Sequence, residues 1–171
     1  MSTYNYELKI PKNRVAVLIG KKGEVKKELE EETKTKINID SEEGDVFVEG
    51  KDAIGLLSVR EVIKAIGRGF NPEVAKLLLK QDYAIEIIQI PGTKKNQFKR
   101  IKGRVIGSEG RCRRTIEDLT KCYISVFGKT VSVIGPVERI VFARRAIEML
   151  FQGSPHSKIY KMLEKTQREI R

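Results

Sequence analysis

Histidine and cysteine are scarce in this 171-residue chain, which contains one histidine, His156, and two cysteines, Cys112 and Cys122. The cysteines form no Cys-x-x-Cys pair, so a zinc site built on cysteine and histidine has too few ligands. With a single histidine and no evident nucleophile–base pair, the sequence also offers no catalytic constellation. We therefore predict a protein that is not an enzyme and that needs no metal or cofactor.

Long apolar runs are also missing. No stretch approaches the roughly 18 consecutive apolar residues of a membrane-spanning helix, and the opening residues, MSTYNYELK, lack the apolar segment of a signal peptide. A GxxxxGK[ST] phosphate-binding loop does not occur. We expect a cytoplasmic protein that crosses no membrane.

What the sequence has in excess is positive charge. Lys and Arg number 34 against 23 Asp and Glu, a net charge of +11, which favours an anionic partner such as nucleic acid or a membrane surface. The hydrophobic fraction of 40% is sufficient for a globular core, so most of the chain is predicted to fold. Charge alone does not choose between the two kinds of partner.

The chain contains an internal duplication. A shift of 87 residues superposes identical residues, including Ile19 with Ile106, Gly20 with Gly107, Gly23 with Gly110, Thr33 with Thr120, Lys34 with Lys121 and Ile37 with Ile124. A shift of 85 then pairs Val46 with Val131, Val48 with Val133 and Gly50 with Gly135. The pattern predicts two copies of one domain, with a loop that is two residues shorter in the second copy.

Hydrophobic periodicity predicts the same elements in both copies: strand, short helix, Gly-x-x-Gly, helix, strand, strand, helix. In the first copy, residues 4–9 alternate as a strand, and Asp52 is expected to cap the last helix. In the second, AIEIIQIP supplies the first strand, TKKNQFK is interpreted as an insertion, and Pro136 starts the closing helix. The segment NPEVAKLLLK is predicted to be an interdomain packing helix in preference to a partner site. The tail after Gly153 either packs on the second copy or forms a basic arm, and its apolar face favours packing with an exposed basic side.

Gly20 and Gly23 bracket Lys21 and Lys22 where the second helix of the first copy should begin. Glycine inside a helix costs about 1 kcal/mol relative to alanine, so the pair needs a reason. A helix N-terminus favours an anion, and glycines let a phosphodiester backbone approach closely. A single Gly-x-x-Gly is weak evidence, because helical turns also use glycine for connection alone, but two copies on a basic chain favour phosphate binding.

The stretches VLIGKKGEV and RVIGSEGRC resemble the Gly-x-x-Gly motif of the KH domain. This resemblance implies an α+β fold of two tandem type I KH domains, each β-α-α-β-β-α, joined by a short helical segment and followed by a C-terminal helix. In that family the loop clamps the backbone of about four single-stranded nucleotides. The bases would lie on an apolar groove and be read along the edge of the adjacent strand. The RNA-binding residues implied are Val17, Ile19, Gly20, Lys21, Lys22, Gly23, Lys26, Lys27, Ile37, Asn38 and Ile39 in the first domain, and Lys102, Arg104, Ile106, Gly107, Ser108, Glu109, Gly110, Arg111, Arg113, Arg114, Ile124 and Ser125 in the second.

Two further stretches, AIGRGFNPEVAKLLLKQDY between the copies and GSPHSKIY after the second, resemble the partner-of-Nob-one family of small-subunit ribosome-assembly factors in its archaeal form. The resemblance implies binding to the single-stranded 3′ end of small-subunit rRNA during maturation. The partners it implies are the alpha subunit of translation initiation factor two, an rRNA dimethylase and a maturation nuclease. We place the first KH domain at residues 4–67, a connecting helical segment at 68–82, the second KH domain at 83–153 and a C-terminal helical tail at 154–171. We expect a monomer.

The second loop departs from the usual chemistry, because GSEG puts Glu109 where a phosphate should pass. The second copy could therefore be degenerate in its RNA binding. Against this interpretation, residues 92–114 hold nine basic residues and one acidic residue, a local net charge of +8. A KH-fold protein-docking scaffold, or a general single-stranded nucleic-acid binder in RNA processing or translation initiation, stays open as an alternative. The intact GKKG loop favours RNA, since docking of a protein does not require its two lysines.

Cys112 and Cys122 are expected in the core, since Cys112 precedes Ile116 by about one helical turn. Phe47, Phe127 and Phe142 are also expected there, although a phenylalanine near the groove is available to stack on a base.

Overall fold

The computed structural model describes residues 3–170. Contacts within the chain divide it between Gln81 and Asp82 into two compact units. Each unit has a three-stranded antiparallel sheet with helices, and both follow the predicted order β-α-α-β-β-α. The duplicated α+β architecture is therefore confirmed, whereas the finer boundaries proposed from the sequence remain predictions.

In the first unit, the central strand of the sheet is the third strand in sequence order. Its elements are β1 Tyr4–Lys9, α1 Lys12–Ile19, α2 Glu24–Thr33, β2 Thr35–Asp40, β3 Asp45–Gly50, α3 Ala53–Gly67 and α4 Pro72–Ala75, followed by a 3₁₀ turn at Lys76–Leu79. Strand β3 lies between β1 and β2, so β2 is an edge strand. Helix α3 begins where predicted, because the Asp52 carboxylate accepts the N–H of Ile54 at 3.1 Å.

The second unit repeats this topology and adds a helix. Its elements are β4 Tyr83–Gln89, α5 Lys95–Ile106, α6 Arg111–Thr120, β5 Tyr123–Phe127, β6 Thr130–Pro136, α7 Val137–Phe151 and α8 His156–Ile170. Strand β6 lies between β4 and β5, so β5 is the edge strand that corresponds to β2. Among the helices within residues 3–170, none has the length and apolar character needed to cross a membrane.

The strand register places one face of the first sheet against the helices. Ile37 of β2 and Tyr6 of β1 both pair with Val48 of β3. Val48 and Ile37 are buried, and α3 covers this face with a fully buried stripe that consists of Val59, Val62, Ile63 and Ile66. Hydrophobic alternation on the strands and helical periodicity on α3 thus meet in one core.

Phe47 is a correction to the sequence analysis, which expected it in the core. It stands between Val46 and Val48, which are both buried, so its side chain points to the opposite face of the sheet and is 43% exposed. Phe127 and Phe142 are partly buried, and Phe142 packs against the core of the second unit.

The core of the second unit includes the C-terminal tail. Ile159 and Leu163 of α8 are buried in the same cluster as Ile116 of α6 and Ile147 of α7. The predicted packing of the tail on the second copy is therefore confirmed. Its outer side is basic, as expected, with exposed Lys158, Lys161, Lys165 and Arg168. Arg171, the last residue of the predicted tail, lies outside the described residues.

Two segments differ in detail from the sequence-based expectations. NPEVAKLLLK forms α4 and the 3₁₀ turn, where the Asn71 side chain accepts the N–H of Val74 at 2.9 Å, and it packs against α3 within the first unit. TKKNQFK, interpreted as an insertion, lengthens a helix, because from Lys95 onward it forms the beginning of α5. That helix has 12 residues, against 8 in α1.

Both cysteines are buried, as predicted. Burial raises the pKa of the Cys122 thiol to about 11 and also raises the pKa of Cys112. Because the thiolate is the nucleophile, we expect iodoacetamide at about pH 8 to leave both thiols of the folded protein unmodified and to alkylate both after denaturation. Mass spectrometry counts the adducts, and rapid alkylation of either cysteine in the folded protein would contradict its place in the core.

Candidate nucleic-acid interface

The loop at residues 20–23 has a backbone that requires glycine at its first position. Gly20 has φ 78° and ψ 173°, a region essentially restricted to glycine. Lys22 follows at φ 55° and Gly23 at φ 77°. Helix α2 starts at Glu24, so the N–H groups of its first turn, which have no partner within the helix, lie next to the loop.

The second loop, at residues 107–110, repeats this backbone. Gly107 has φ 76° and ψ 174°, Glu109 has φ 56° and Gly110 has φ 73°. In both loops the N–H of the second glycine donates to the carbonyl of the first at 3.2 Å. Glu109 therefore takes the place of Lys22 and changes the charge of the loop without changing its shape.

The two glycines of each loop serve different purposes. A Cβ at Gly20 would lie 2.5 Å from Cγ2 of Val25, and one at Gly107 would lie 2.7 Å from Cβ of Cys112, so the first glycine permits close packing against the following helix. A Cβ at Gly23 would meet no atom within 4 Å. The second glycine thus leaves the outer surface of the loop without a side chain, so a phosphate backbone can approach it closely there.

Cations and apolar side chains lie side by side at the first loop. Lys21, Lys22 and Lys27 are exposed, and Lys26 is partly buried. Val17 and Ile19, on the preceding helix α1, are partly buried and leave some apolar surface accessible. Positive charge for phosphates next to apolar surface for bases is the chemistry that binds single-stranded nucleic acid.

The second loop carries its positive charge on the helix that follows it. Arg111 and Arg114 of α6 are exposed, whereas the Arg113 guanidinium lies 3.4 Å from the Glu117 carboxylate. Ser108 and Glu109 are exposed, and Lys102 on the preceding helix is partly buried. The apolar surface beside this loop comes from Ile106, which is 36% exposed.

Ile37 and Ile124 are corrections within the predicted RNA-binding set. Their side chains are 0% and 4% exposed, so they belong to the cores of their units and not to a groove. Of their neighbours, Asn38 is exposed, while Ile39 and Ser125 are partly buried. A base at the edge strand would therefore meet the backbone and these neighbouring side chains.

On each edge strand, a glutamate carboxylate accepts the backbone N–H of the buried isoleucine. Glu30 Oε2 accepts the N–H of Ile37 at 2.9 Å, and Glu117 Oε2 accepts the N–H of Ile124 at 2.9 Å. Both bonds join the edge strand to the helix before it and satisfy a donor that an edge strand leaves open. The sequence analysis missed these glutamates, although the shift of 87 residues superposes them.

Arg104 is a further correction, because its guanidinium serves the fold. Its Nε donates to the carbonyl of Leu150 at 3.3 Å and its Nη2 to the carbonyl of Ser154 at 2.6 Å, at the end of α7. A cation is favourable at a helix C-terminus. In the first unit, Arg14 donates in the same way to Ile66 and Phe70 at the end of α3. We therefore remove Arg104 from the RNA-binding set.

Family models match both units. A KH-domain model matches residues 5–67. A model for the second KH domain of PNO1 proteins, described as a eukaryotic-type KH domain (KH-domain type I), matches residues 84–168. Together the two matches cover both of the loops described above.

Relatives are similar over almost the whole chain. The KH domain-containing protein MJ0443 of Methanocaldococcus jannaschii is 46% identical, with 96% of this chain and 74% of the relative covered. The crystal structure of Dim2p from Pyrococcus horikoshii OT3 superposes with a TM-score of 0.89 at 45% identity, over 95% of this chain and 99% of the other. The Pyrococcus horikoshii OT3 complex of a/eIF2alpha, aDim2p and rRNA contains a chain that matches with a TM-score of 0.91 at 43% identity, over 98% and 96% of the two chains.

Proposed function

This chain belongs to the partner-of-Nob-one family of two-KH-domain proteins, and from that membership we propose that it binds single-stranded RNA with both KH domains. The target we propose is the 3′ end of small-subunit rRNA, bound in the cytoplasm during ribosome maturation. The family consists of RNA-binding factors, and the protein is not an enzyme.

The observation that supports RNA binding most strongly is the matching geometry of the two loops. Both present a second glycine with positive φ, the start of a helix and exposed cations: Lys21 and Lys22 at the first loop, Arg111 and Arg114 at the second. N–H groups at a helix start and nearby cations both attract phosphate, and they do so without reading the base. The loops would position the strand, and contacts beyond them would read its sequence.

The partners we propose follow from the relatives. The Pyrococcus complex contains the alpha subunit of the initiation factor and rRNA together with aDim2p, which is 43% identical to this chain. We propose that this chain binds the corresponding alpha subunit and rRNA. Contact with the rRNA dimethylase and the maturation nuclease is proposed from the family alone.

Base reading is proposed to take place along the backbone edges of β2 and β5, with Asn38 and Ser125 as side chains that can donate or accept hydrogen bonds. The buried isoleucine that precedes each of them, Ile37 or Ile124, holds the edge strand in place. The glutamate caps at Ile37 and Ile124 already occupy one backbone donor on each edge, so the neighbouring backbone groups are left to contact a base.

We expect the full chain to bind a single-stranded oligonucleotide with the sequence of the rRNA 3′ end more tightly than a duplex of the same sequence. With roughly six phosphate contacts, the slope of log K against log salt for the single strand is expected to be about −4. Fluorescence polarisation over a salt series measures both quantities. A randomised single strand of the same length and composition is the control for sequence preference.

Tighter binding of the duplex would contradict the groove, and a slope near zero would contradict the phosphate clamp. A protein-docking scaffold would bind neither the single strand nor the duplex, while still binding the initiation-factor subunit. The intact GKKG loop favours the RNA-binding outcome, because docking of a protein does not require two exposed lysines on this glycine turn.

A further inference from the structure

A cavity of about 620 Å³ lies beside the first half of α5 in the second unit. Its lining is cationic and aromatic, and includes Lys95, Lys99, Lys102 and Lys129 around Phe98. No acidic side chain is among the lining residues. The volume is in the range of sites that hold a small ligand or one unit of a polymer.

The cavity is a product of the additional residues in the second copy. Ile10 corresponds to Ile90 at a shift of 80 residues, but Ile19 corresponds to Ile106 at a shift of 87, so seven residues are added between them. The position 87 residues before Phe98 is Pro11, which precedes α1. The first unit therefore has no counterpart to Phe98 on its short helix.

Hydrogen bonds fix both walls of the cavity. On one side, Gln97 Oε1 accepts the N–H groups of Thr93 and Lys94 at 2.9 and 3.1 Å, which secures the start of α5. On the other side, the N–H of Ile90 donates to the carbonyl of Lys129 at 2.9 Å and holds the turn between β5 and β6. The added helix and this turn thus form a preorganised site.

The chemistry of the cavity suits a nucleotide. The centre of the Phe98 ring lies 5.2 Å from Nζ of Lys129, so a flat apolar surface and a cation lie next to each other. Lys95, Lys99 and Lys129 are exposed, and Phe98 is partly buried. Aromatic rings that stack on bases, next to cations that follow the phosphates, are what single-strand binding proteins use.

Helix α5 connects the cavity to the second loop. Lys95, Lys99, Lys102 and Ile106 follow helical spacing along one side of α5, and the helix ends directly at Gly107. From Lys95 to Ile106 the helix rises about 16 Å. Strand β5 contacts both α5 and α6, and the turn that follows it borders the cavity.

We propose that this cavity is an additional nucleotide subsite, in which Phe98 stacks on a base that flanks the nucleotides held by the second KH domain, while Lys95, Lys99 and Lys129 bind the adjoining phosphates. The proposal rests on RNA binding by the second KH domain. It assigns an asymmetry to the protein, because the second copy would hold a longer stretch of RNA than the first.

The test uses the full chain and the single-stranded rRNA 3′-end oligonucleotide. Phe98→Leu keeps an apolar side chain against the core but removes the ring, and we expect it to weaken binding about fivefold or more. Phe98→Tyr keeps the ring and should bind like the parent. Lys99→Ala with Lys129→Ala should reduce the magnitude of the salt slope by about 1.4, whereas Lys161→Ala with Lys165→Ala, which removes two exposed lysines of α8, should leave it unchanged.

A second readout locates the stacked base. With 2-aminopurine placed at each position of the oligonucleotide in turn, one position should be quenched by the parent and by Phe98→Tyr but not by Phe98→Leu. If the parent binds RNA and the folded Phe98→Leu and lysine variants bind it equally well, the subsite is wrong while the proposed function stands. If the parent binds no RNA, the proposed function fails and the subsite fails with it.

Discussion

Division of the chain between Gln81 and Asp82 is expected to lower the affinity of each half for the rRNA 3′-end strand by about 10²- to 10⁴-fold relative to the full chain. The physical reason is that two linked sites on one strand bind it with a high effective concentration for the second contact. Fluorescence polarisation of the full chain, of each half and of the two halves mixed at equal concentration measures the effect. The mixture is the control, because it contains every contact but lacks the tether.

The position of the cut follows from the structure. A cut near residues 67–70 would separate α4 from α3, against which it packs. The N–H of Val137, at the start of α7, donates to the carbonyl of Asp82 at 2.9 Å, so this residue must stay with the second half. With the cut after Gln81 each half keeps its own sheet and core. Circular dichroism of each half checks folding before binding is compared.

The shared-strand model would be wrong if either folded half bound the long oligonucleotide as tightly as the full chain. It would also be wrong if the mixture of halves equalled the full chain, because tethering would then contribute nothing. A reduction in only one half, with the other half at full affinity, would assign all RNA binding to a single KH domain.

The duplication made much of the fold accessible from sequence. Each copy supplies an independent reading of the same element order, and matched glycines with matched apolar positions mark the loops and the core strands. Local signals, such as the Asp52 cap and the Gly-x-x-Gly turn, depend on residues a few positions apart, so they can be recognised without knowing the tertiary contacts.

The features that were missed depend on contacts between distant parts of the chain. Arg104 is a residue type that commonly binds RNA. Only its hydrogen bonds to the carbonyls of Leu150 and Ser154 show that it stabilises the end of α7. Phe47 is apolar, but the face on which it lies is decided by the register of β3 with its neighbours. The segment TKKNQFK was interpreted only as an insertion and not as the start of a helix, because its lysines obscure the helical pattern of apolar residues.

Comparison of the two copies separates structural residues from functional ones. Lys34 and Lys121 both adopt a left-handed backbone, at φ 55° and 58°, directly after α2 and α6. Thr33 and Thr120 are both buried and donate to the carbonyls four residues before them, at 2.6 and 2.7 Å. These identities are explained by helix termination. The positions that differ between the loops, in contrast, are not needed to end a helix. The two KH domains are therefore free to diverge there.

Reversal of charge at the first loop, Lys21→Asp with Lys22→Asp, is expected to weaken RNA binding at least tenfold, about 1.4 kcal/mol, with little change in melting temperature. Both lysines are exposed. Lys22 has φ 55°, a conformation that aspartate adopts more readily than most residues, so the loop should keep its shape. Lys161→Asp with Lys165→Asp makes the same change in net charge at exposed positions of α8 and is the matched control.

The size of this effect depends on how each loop distributes its charge. The first loop has lysines inside the turn and Glu24 directly after it, whereas the second has Glu109 inside the turn and Arg111 directly after it. Because the two backbones are the same, this exchange moves the cation from the turn to the start of the helix without removing it. In the first loop the reversal would place two aspartates before Glu24, and the positive charge next to the open glycine would be lost. The salt slope should then fall in magnitude by about 1.4, the amount expected for two lost phosphate contacts. If the folded double variant keeps both the parent's affinity and its salt slope while the α8 control does the same, the phosphates are held elsewhere and the first loop is not the clamp.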